Sequence, residues 1–181
     1  MNYYNAEERN QLFEIAKESI ASVLRKEHAW RPEKPLNAKL LEERAVFVTL
    51  RIDEELRGCI GEMIASKPLY IAVFDMARSA AFKDPRFSPV TKEEFEFVEI
   101  EISVLTPMVR VSSYREIELE VDGVWLRKGG RSGVFLPQVA TETGWDLDTF
   151  LRNLCSHKAG LPAEAYKDPE TEIYKYQVEI L

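Results

Sequence analysis

The sequence predicts an α+β fold in which two antiparallel sheets are flanked by helices. Two observations support this prediction. Residues 45–52 and 97–105 each place apolar side chains at every second position, which is the pattern of a strand with one buried face. Elsewhere, apolar residues recur at helical spacing behind residue types that begin helices. The sequence contains no internal repeat and no low-complexity segment, so we expect one continuous module.

Length and composition narrow the class of protein. The 181 residues suffice for one domain or for two closely packed lobes. The net charge of −7 disfavours nucleic acid as the main partner, because a surface that binds duplexes must be basic. No stretch reaches the length of an apolar membrane span, and the first twenty residues lack the apolar region of a signal peptide. We therefore expect a soluble cytoplasmic protein that binds neither nucleic acid nor a membrane.

The chain has two cysteines, Cys59 and Cys155, which are too few for a disulfide framework. In a reducing compartment we expect both to be free thiols. Two cysteines and two histidines at these spacings do not supply four zinc ligands without carboxylates, which disfavours a structural zinc site.

The first helix is predicted to begin at the capping box Asn5–Glu8 and to run to about Lys26. A loop with two prolines, residues 30–35, follows it. The strand over residues 45–52 then leads through the acidic turn 53–55 into another short strand. These two strands are predicted to form a hairpin.

The next helix is predicted to start near Pro68 and to stop before Asp84-Pro85, because proline is tolerated only in a first turn. Its narrow stripe of mostly small residues suits a helix that lies on a sheet. The stripe consists of Leu69, Ala72, Val73, Met76, Ala77 and Ala80. Thr91–Glu94 is typical of a capping box that begins a short helical turn before the strand over 97–105.

The second half of the chain begins with short strands. Apolar and polar residues alternate over residues 117–121, which predicts a strand. Asp122-Gly123 predicts a two-residue hairpin turn, and residues 124–127 are predicted as the returning strand. Residues 128–133 have the glycine and basic content of an anion-binding nest but lack a Walker pattern, so the tip of a hairpin is favoured. With a strand over 134–136, these segments predict a second small sheet.

The last part of the chain contains one helix and one strand. Asp146 is predicted to cap the helix, and Gly160 to end it. Residues 171–181 are predicted as a strand that returns to the first sheet, because alternate side chains share one face. These side chains are Tyr174, Tyr176, Val178 and Ile180.

The strongest candidate for a functional site is the segment Leu56–Gly61, called here the 56–61 motif. As a strand, it places Arg57, Cys59 and Gly61 on one face, and Leu56, Gly58 and Ile60 on the other. Its two glycines indicate a bulge or a place where something approaches the backbone closely. A cation about 7 Å along the strand from a thiol favours the thiolate.

Cys59 and Arg57 each have a functional and a structural interpretation. Cys59 can be a nucleophile, a covalent carrier or a metal ligand, or else a small buried hydrophobic residue. No base is linked to it by a recognisable spacing. Arg57 can bind a carboxylate or phosphate in bidentate fashion, or else pair with a surface acid.

Asp84 and Arg86 lie in a short loop between Phe82 and Phe87. They can present their charges beside the 56–61 motif and form one wall of a cleft. Alternatively, the two side chains hold each other in a rigid turn.

The 56–61 motif resembles the signature of the AMMECR-one domain family, whose prokaryotic members are known as AmmeMemoRadiSam system protein A. Four further segments resemble family segments in the same order: residues 82–87, 136–140, 144–146 and 158–162. The resemblance implies a two-lobed α/β fold with both termini in the larger lobe. We place the larger lobe at about residues 1–106 plus 169–181, and the smaller lobe at about 107–168.

The resemblance also implies a pathway in which a small molecule or a protein is modified together with a Memo-like protein and a radical S-adenosylmethionine protein. It assigns no reaction and no cofactor. Our leading hypothesis is a ligand-handling protein with a cleft where the two lobes meet. In this hypothesis Cys59 is catalytic and the substrate is bound by Arg57, Gly58, Gly61, Asp84 and Arg86. The alternatives are a non-catalytic protein-binding module, in which Arg57 anchors the interface, and a metal-binding protein.

Overall fold

Residues 3–181, which a computed structural model of the protein describes, form two antiparallel four-stranded sheets flanked by helices. The predicted α+β fold is therefore confirmed. The helices are α1 (Ala6–Leu24), α2 (Ala38–Leu41), α3 (Leu69–Phe82), α4 (Lys92–Phe95), α5 (Gln138–Thr143) and α6 (Leu147–Asn153). The strands are β1 (Val46–Ile52), β2 (Glu55–Gly61), β3 (Glu99–Leu105), β4 (Val109–Arg110), β5 (Gly123–Lys128), β6 (Arg131–Phe135), β7 (Glu172–Tyr176) and β8 (Val178–Ile180). Within residues 3–181, no helix combines the length and the apolar character needed to cross a bilayer.

The chain divides into two compact units. The first unit ends at Leu105 and also contains Glu179–Leu181, and the second unit comprises Thr106–Val178. The first sheet has the strand order β2-β1-β3-β8, and the second sheet has the order β4-β7-β5-β6. Residues 169–178, which we expected in the larger lobe, thus lie in the second unit.

The helix starts and the hairpin of the first unit follow the sequence predictions. In the capping box of α1, Asn5 Oδ1 accepts a hydrogen bond from the Glu8 backbone N–H at 2.9 Å, and Glu8 Oε2 accepts one from the Asn5 N–H at 2.7 Å. Strands β1 and β2 form the predicted antiparallel hairpin. Its turn places Asp53 and Glu54 at φ values of 51° and 67°.

The core of the first unit lies between its sheet and the helices α1 and α3. Five residues of the stripe predicted for α3 are buried there and Met76 is partly buried, and this stripe lets the helix lie close to β1 and β2. The inward face of the sheet contributes Val48, Leu50, Ile102 and Val104, each at most 3% exposed. Thr91 and Glu94 form the predicted capping box of α4.

The prediction of a hairpin turn at Asp122-Gly123 is wrong. Residues 117–121 form no strand, and Gly123 is the first residue of β5, where it lies opposite Tyr176 of β7. A Cβ atom on Gly123 would lie 2.5 Å from the Tyr176 ring, so the glycine serves close packing. Asp122 is buried, and its Oδ2 accepts hydrogen bonds from the Glu118 N–H and Lys175 Nζ.

The C-terminal strand prediction is wrong for half of its length. Residues Glu172–Tyr176 form β7 between β4 and β5 in the second sheet, and only β8 joins the first sheet. The chain leaves the second sheet at Gln177, whose backbone is hydrogen-bonded on both sides by Thr106. The Thr106 N–H donates to the Gln177 carbonyl oxygen at 2.9 Å, and the Gln177 N–H donates to Thr106 Oγ1 at 2.8 Å.

Two other predictions for the second unit are confirmed. The hairpin tip predicted within residues 128–133 is present, but it is formed by Gly129 and Gly130 alone, at φ values of 54° and 80°, because Lys128 belongs to β5 and Arg131–Gly133 belong to β6. Asp146 caps α6 by accepting a hydrogen bond from the Thr149 N–H at 2.8 Å. A short π-helical segment, Leu154–Lys158, continues α6 towards Gly160.

Candidate functional site

The 56–61 motif lies on β2, which is an edge strand of the first sheet. The β1–β2 pairing shifts by one residue, so that Arg51 lies opposite Leu56 while Leu50 lies opposite Gly58. Arg57 is therefore the extra residue of a β-bulge, and a bulge turns the side chain away from regular alternation. The bulge that the two glycines predicted is present. The prediction that Leu56 and Gly58 share one face of the strand is wrong, because they lie opposite adjacent residues of β1.

Both glycines of the motif are in close contact with the protein itself. A Cβ atom on Gly58 would overlap the carbonyl oxygen of Ala80, in the last turn of α3. A Cβ atom on Gly61 would overlap the Phe47 ring and lie 2.6 Å from the Val46 carbonyl oxygen. The close approach expected at the glycines is thus made by α3 and β1.

The Arg57 guanidinium is bound by Glu94 in a bidentate pair. Nε donates to Glu94 Oε1 at 3.0 Å, and Nη2 donates to Oε2 at 3.1 Å and to the Ser88 carbonyl oxygen at 3.0 Å. The Arg57 side chain is 12% exposed, and the Phe87 ring centroid lies 5.9 Å from its Cζ. Nε and Nη2 are therefore bound by the protein itself, whereas Nη1 is buried and has no hydrogen-bond partner within residues 3–181.

The Asp84 carboxylate and the Arg86 guanidinium bind the backbone of Cys59. Asp84 Oδ2 accepts a hydrogen bond from the Cys59 N–H at 2.9 Å, and Arg86 Nη2 donates to the Cys59 carbonyl oxygen at 3.2 Å. The two side chains also bind each other, with Arg86 Nη2 2.7 Å from Asp84 Oδ2 and Nε 3.0 Å from Oδ1. The pair thus satisfies both backbone groups of Cys59 at the edge of the sheet. A neighbouring strand would supply the same acceptor and donor.

The Cys59 side chain is half-buried. Thr49, which lies opposite Cys59 on β1, donates a hydrogen bond from its hydroxyl to Sγ at 3.3 Å. Within residues 3–181, no carboxylate or imidazole is hydrogen-bonded to this sulfur. One route to an activated thiol, deprotonation by a base hydrogen-bonded to it, therefore has no candidate among residues 3–181.

The two carboxylates beside the motif are held in their ionised form. Hydrogen bonds from Arg86 lower the pKa of Asp84 well below its ordinary value, although burial of the group opposes them. Hydrogen bonds from Arg57 and from the Thr91 backbone lower the pKa of Glu94 to about 2. A carboxylate with so low a pKa is a weak proton acceptor near neutral pH.

Comparison with known proteins identifies the family. The sequence profile of the AMMECR1 family matches residues 13–181. The protein belongs to the AMMECR1 family. The resemblance found in the sequence is therefore confirmed.

The chain is similar over most of its length to archaeal AMMECR1-type proteins. It is 43% identical over 180 residues to a protein of Methanothermobacter thermautotrophicus, with 96% of this chain and 93% of the relative covered. It is 45% identical over 157 residues to a protein of Methanopyrus kandleri, with 82% and 75% covered. The crystal structure of an uncharacterised protein from Pyrococcus horikoshii is 38% identical and has a TM-score of 0.80, with 93% of this chain and 88% of that chain covered.

In this AMMECR1-family protein, the predicted site residues only partly converge. Cys59, Asp84 and Arg86 are in direct contact, whereas Arg57 extends to Glu94. We expected Arg57 to favour a Cys59 thiolate, but the arginine that contacts Cys59 is Arg86, through the backbone.

Sequence reasoning missed three groups that contact the site residues: Glu94, Ser88 and Thr49. The sequence pattern indicates only a capping role for Glu94, and its fixed position in the Thr91 capping box is the available signal. The β-bulge places Thr49 opposite Cys59, where an unbroken hairpin would place Gly58. For Ser88, the contact is made by a backbone carbonyl, which leaves no signal in the sequence.

The described part of the chain shows no cluster that fits a metal centre. In residues 3–181, no three His, Cys, Asp or Glu side chains lie close enough together to hold one ion.

Proposed function

We propose that this AMMECR1-family protein is a non-catalytic binding module in the modification pathway implied by the resemblance. Its partners are a Memo-like protein and a radical S-adenosylmethionine protein. The observation that carries this proposal is that the charged groups around the 56–61 motif bind one another and the backbone of β2. They form a rigid sheet edge rather than a set of free catalytic groups.

A rigid edge favours binding because little conformational freedom is lost when a partner docks. Asp84 and Arg86 fix the backbone of β2 at Cys59, and Arg57 ties the same strand to Glu94 at the start of α4. Gly58 lets α3 support the strand from the other side. The motif therefore has a structural reason for its arginine and its glycines, whereas Asp84 and Arg86 bind Cys59 only through its backbone.

The test uses purified Memo-like and radical S-adenosylmethionine proteins from the same organism and measures the affinity of each by calorimetry. We expect Cys59→Ala to leave the affinity within about two-fold of the wild-type value, because a small, half-buried side chain contributes little. We expect Asp84→Asn to weaken binding, because the edge of β2 loses its support. Asp75→Asn, a change to an exposed carboxylate on α3, is the matched control.

Two results would count against the proposal. One is the absence of binding to either partner by the folded wild-type protein. The other is a Cys59→Ala variant that binds normally but no longer supports turnover when the three proteins are combined. That second result would favour catalysis by Cys59.

The ligand-handling hypothesis retains one supporting observation. Cys59 is half-buried rather than fully buried, and its sulfur accepts a hydrogen bond from Thr49. If this thiol carries a substrate covalently, incubation with the two partner proteins and their substrates should add mass to Cys59. Intact-protein mass spectrometry measures that change, with Cys59→Ser as the control.

A further inference from the structure

The second unit contains a cavity of about 490 Å³ beside Trp125, called here the aromatic cavity. Its wall is formed by Arg110, Trp125, Arg127 and Glu172, by residues 128–132 of the β5–β6 hairpin, and by Pro169 and Glu170. All of these residues lie in the second unit, so the cavity is independent of the 56–61 motif. Its volume is within the range of small-molecule sites, roughly 300–1,000 Å³.

Trp125 is the aromatic residue that lines this cavity, and Tyr174 lies beside it on the next strand. Trp125 on β5 lies opposite Tyr174 on β7, with ring centroids 5.3 Å apart and the planes inclined by 35°. The neighbouring residues Leu126 and Ile173 point into the core, so the two rings lie on the opposite face of the sheet. Both rings remain partly exposed. The Arg127 guanidinium lies near both rings, with Cζ 5.4 Å from the Trp125 centroid and 5.6 Å from the Tyr174 centroid, so a planar ligand would stack on the part of the Trp125 ring that stays exposed.

The cavity is positively charged although the chain has a net charge of −7. Four cations line it, namely Arg110, Arg127, Lys128 and Arg131, against two lining carboxylates, Glu170 and Glu172, and a third carboxylate, Asp168, that pairs with Lys128. An excess of cations in a cleft attracts anionic ligands.

The four cations are not equally neutralised. Arg127 pairs with Glu172, and Lys128 Nζ lies 2.5 Å from Asp168 and 3.6 Å from Glu170. Arg110 has a long contact of 3.8 Å to Glu172, and its side chain is 60% exposed. Arg131 donates to the Gly160 carbonyl oxygen and forms no ion pair within residues 3–181. Arg110 and Arg131 are therefore the cations most available to a ligand.

The hairpin tip leaves its end of the cavity open. Gly129 and Gly130 line the cavity, and a Cβ atom on either would meet no other atom within 4 Å. A ligand can therefore approach the backbone at this turn without displacing a side chain.

We propose that the aromatic cavity binds a free nucleotide, with the base stacked on Trp125 and the phosphate paired with Arg110. A nucleotide joins a planar ring to an anion in a molecule of suitable size, and guanidinium groups bind phosphate in bidentate fashion. Arg131 adds positive charge at the hairpin end. The net charge of −7 argues against a long nucleic acid strand as the occupant, because a strand would extend beyond this local basic surface.

The experiment titrates the wild-type protein with AMP, GMP, CMP and UMP and follows the indole N–H signal of Trp125 by NMR. We expect at least one nucleotide to shift this signal with a Kd below about 1 mM. We expect Arg110→Ala to weaken that binding roughly ten-fold, as the loss of a charged hydrogen bond does. Arg152→Ala removes an equally exposed arginine of the same unit outside the cavity and should leave the Kd unchanged.

A second variant, Trp125→Leu, tests the stacking contact, and we expect it to weaken binding at least about five-fold. Calorimetry measures this variant, and amide spectra establish that it remains folded. If Trp125→Leu does not fold, the comparison of Arg110→Ala with Arg152→Ala is by itself the test of nucleotide binding in the aromatic cavity.

Four results would overturn the proposal. The first is that no nucleotide shifts the Trp125 signal at about 10 mM, an affinity too weak for a specific site. The second is that Arg110→Ala and Arg152→Ala have equal effects. The third is that adenosine or inorganic phosphate binds as tightly as the nucleotide, because one of the two contacts would then contribute nothing. The fourth is that a single-stranded oligonucleotide binds more tightly than the free nucleotide, which would assign the site to nucleic acid.

Discussion

Arg57 and Glu94 form a bidentate pair that joins the bulge of β2 to the start of α4. Glu94 Oε2 also accepts a hydrogen bond from the Thr91 N–H at 2.9 Å, which completes the capping box. One carboxylate therefore fixes both the first turn of a helix and the edge strand that carries the 56–61 motif. Because the Arg57 side chain is only 12% exposed, water screens this pair less than an ordinary surface pair.

Arg57→Ala is expected to lower the free energy of unfolding by about 2 kcal/mol, because it removes a largely buried guanidinium and leaves Glu94 with only its capping contacts. Urea denaturation measures the change. Arg25→Ala, which breaks an exposed pair with Glu18, is the control and should have little effect. Equal effects of the two variants would show that the Arg57–Glu94 pair is no stronger than a surface contact.

Asp84→Ala is expected to destabilise the first unit by about 3 kcal/mol. The Asp84 side chain is 1% exposed, and its loss leaves the Cys59 N–H and the Arg86 guanidinium without their acceptor. Asp75→Ala, at a side chain that is 40% exposed, is the matched control. If Asp84→Ala and Asp75→Ala unfold at the same urea concentration, Asp84 does not support the edge of β2.

The stability of the protein is expected to fall as the pH is lowered from about 5 towards 2. The pKa of Glu94 is about 2 in the folded state against an ordinary value of 4.5, and the pKa of Asp84 is also lowered. Unfolding therefore raises both values, so the unfolded chain binds more protons in this window. The contribution of both groups is complete above about pH 5 and is lost as the pH falls through the folded pKa values.

Urea denaturation at a series of pH values measures this dependence. The double variant Asp84→Asn/Glu94→Gln should lose stability less steeply between pH 5 and 2 than the wild type, because its two side chains no longer titrate. Other carboxylates with lowered pKa values, such as Glu8 and Asp122, should leave part of the slope in place. If stability falls equally steeply with pH in the double variant and in the wild type, Asp84 and Glu94 do not cause the loss of stability at low pH.

The parts of the fold that depend on residues close together in the sequence could be predicted. The capping boxes at Asn5 and Thr91 form within four residues, and the hairpin at Asp53–Glu55 needs only its turn. The stripe on α3 fixes which face of that helix is buried. These features are local, so sequence spacing contains the information that determines them.

The parts that depend on distant contacts could not be predicted. Gly123 looks like a turn residue next to Asp122, but the Tyr176 ring, 53 residues further along the chain, is what requires a glycine there. Likewise, a bulge of one residue decides that Cys59, rather than Gly58, lies opposite Thr49. The alternation of a strand specifies its two faces only while the register holds.

Cys59 and Cys155 are expected to differ strongly in their reaction with iodoacetamide. Cys59 is half-buried, whereas Cys155 is 0% exposed and its burial raises the pKa of its thiol. The native protein should therefore incorporate one carbamidomethyl group, and the unfolded protein two. Mass spectrometry of digested samples locates the modification, and Cys59→Ala should abolish it in the native protein. Modification of Cys155 first would contradict the burial of that side chain.

Gly58→Ala is expected to destabilise the first unit by about 2–3 kcal/mol, because the added methyl group overlaps the carbonyl oxygen of Ala80. The overlapping atom belongs to the backbone of α3, so the strand or the helix must move as a whole. Such a shift would also disturb the Cys59 N–H, which is held by Asp84, and should speed its amide hydrogen exchange.

Thermal unfolding and hydrogen exchange test this prediction, with Glu55→Ala as a control at an exposed position of the same strand. The control should change neither the melting temperature nor the exchange of the Cys59 amide appreciably, because its side chain has no buried contact to lose. If Gly58→Ala melted like the control, α3 would not need a glycine at this point of β2. In that case the glycine of the 56–61 motif would require an explanation other than packing, and a ligand approaching the backbone would become the stronger one.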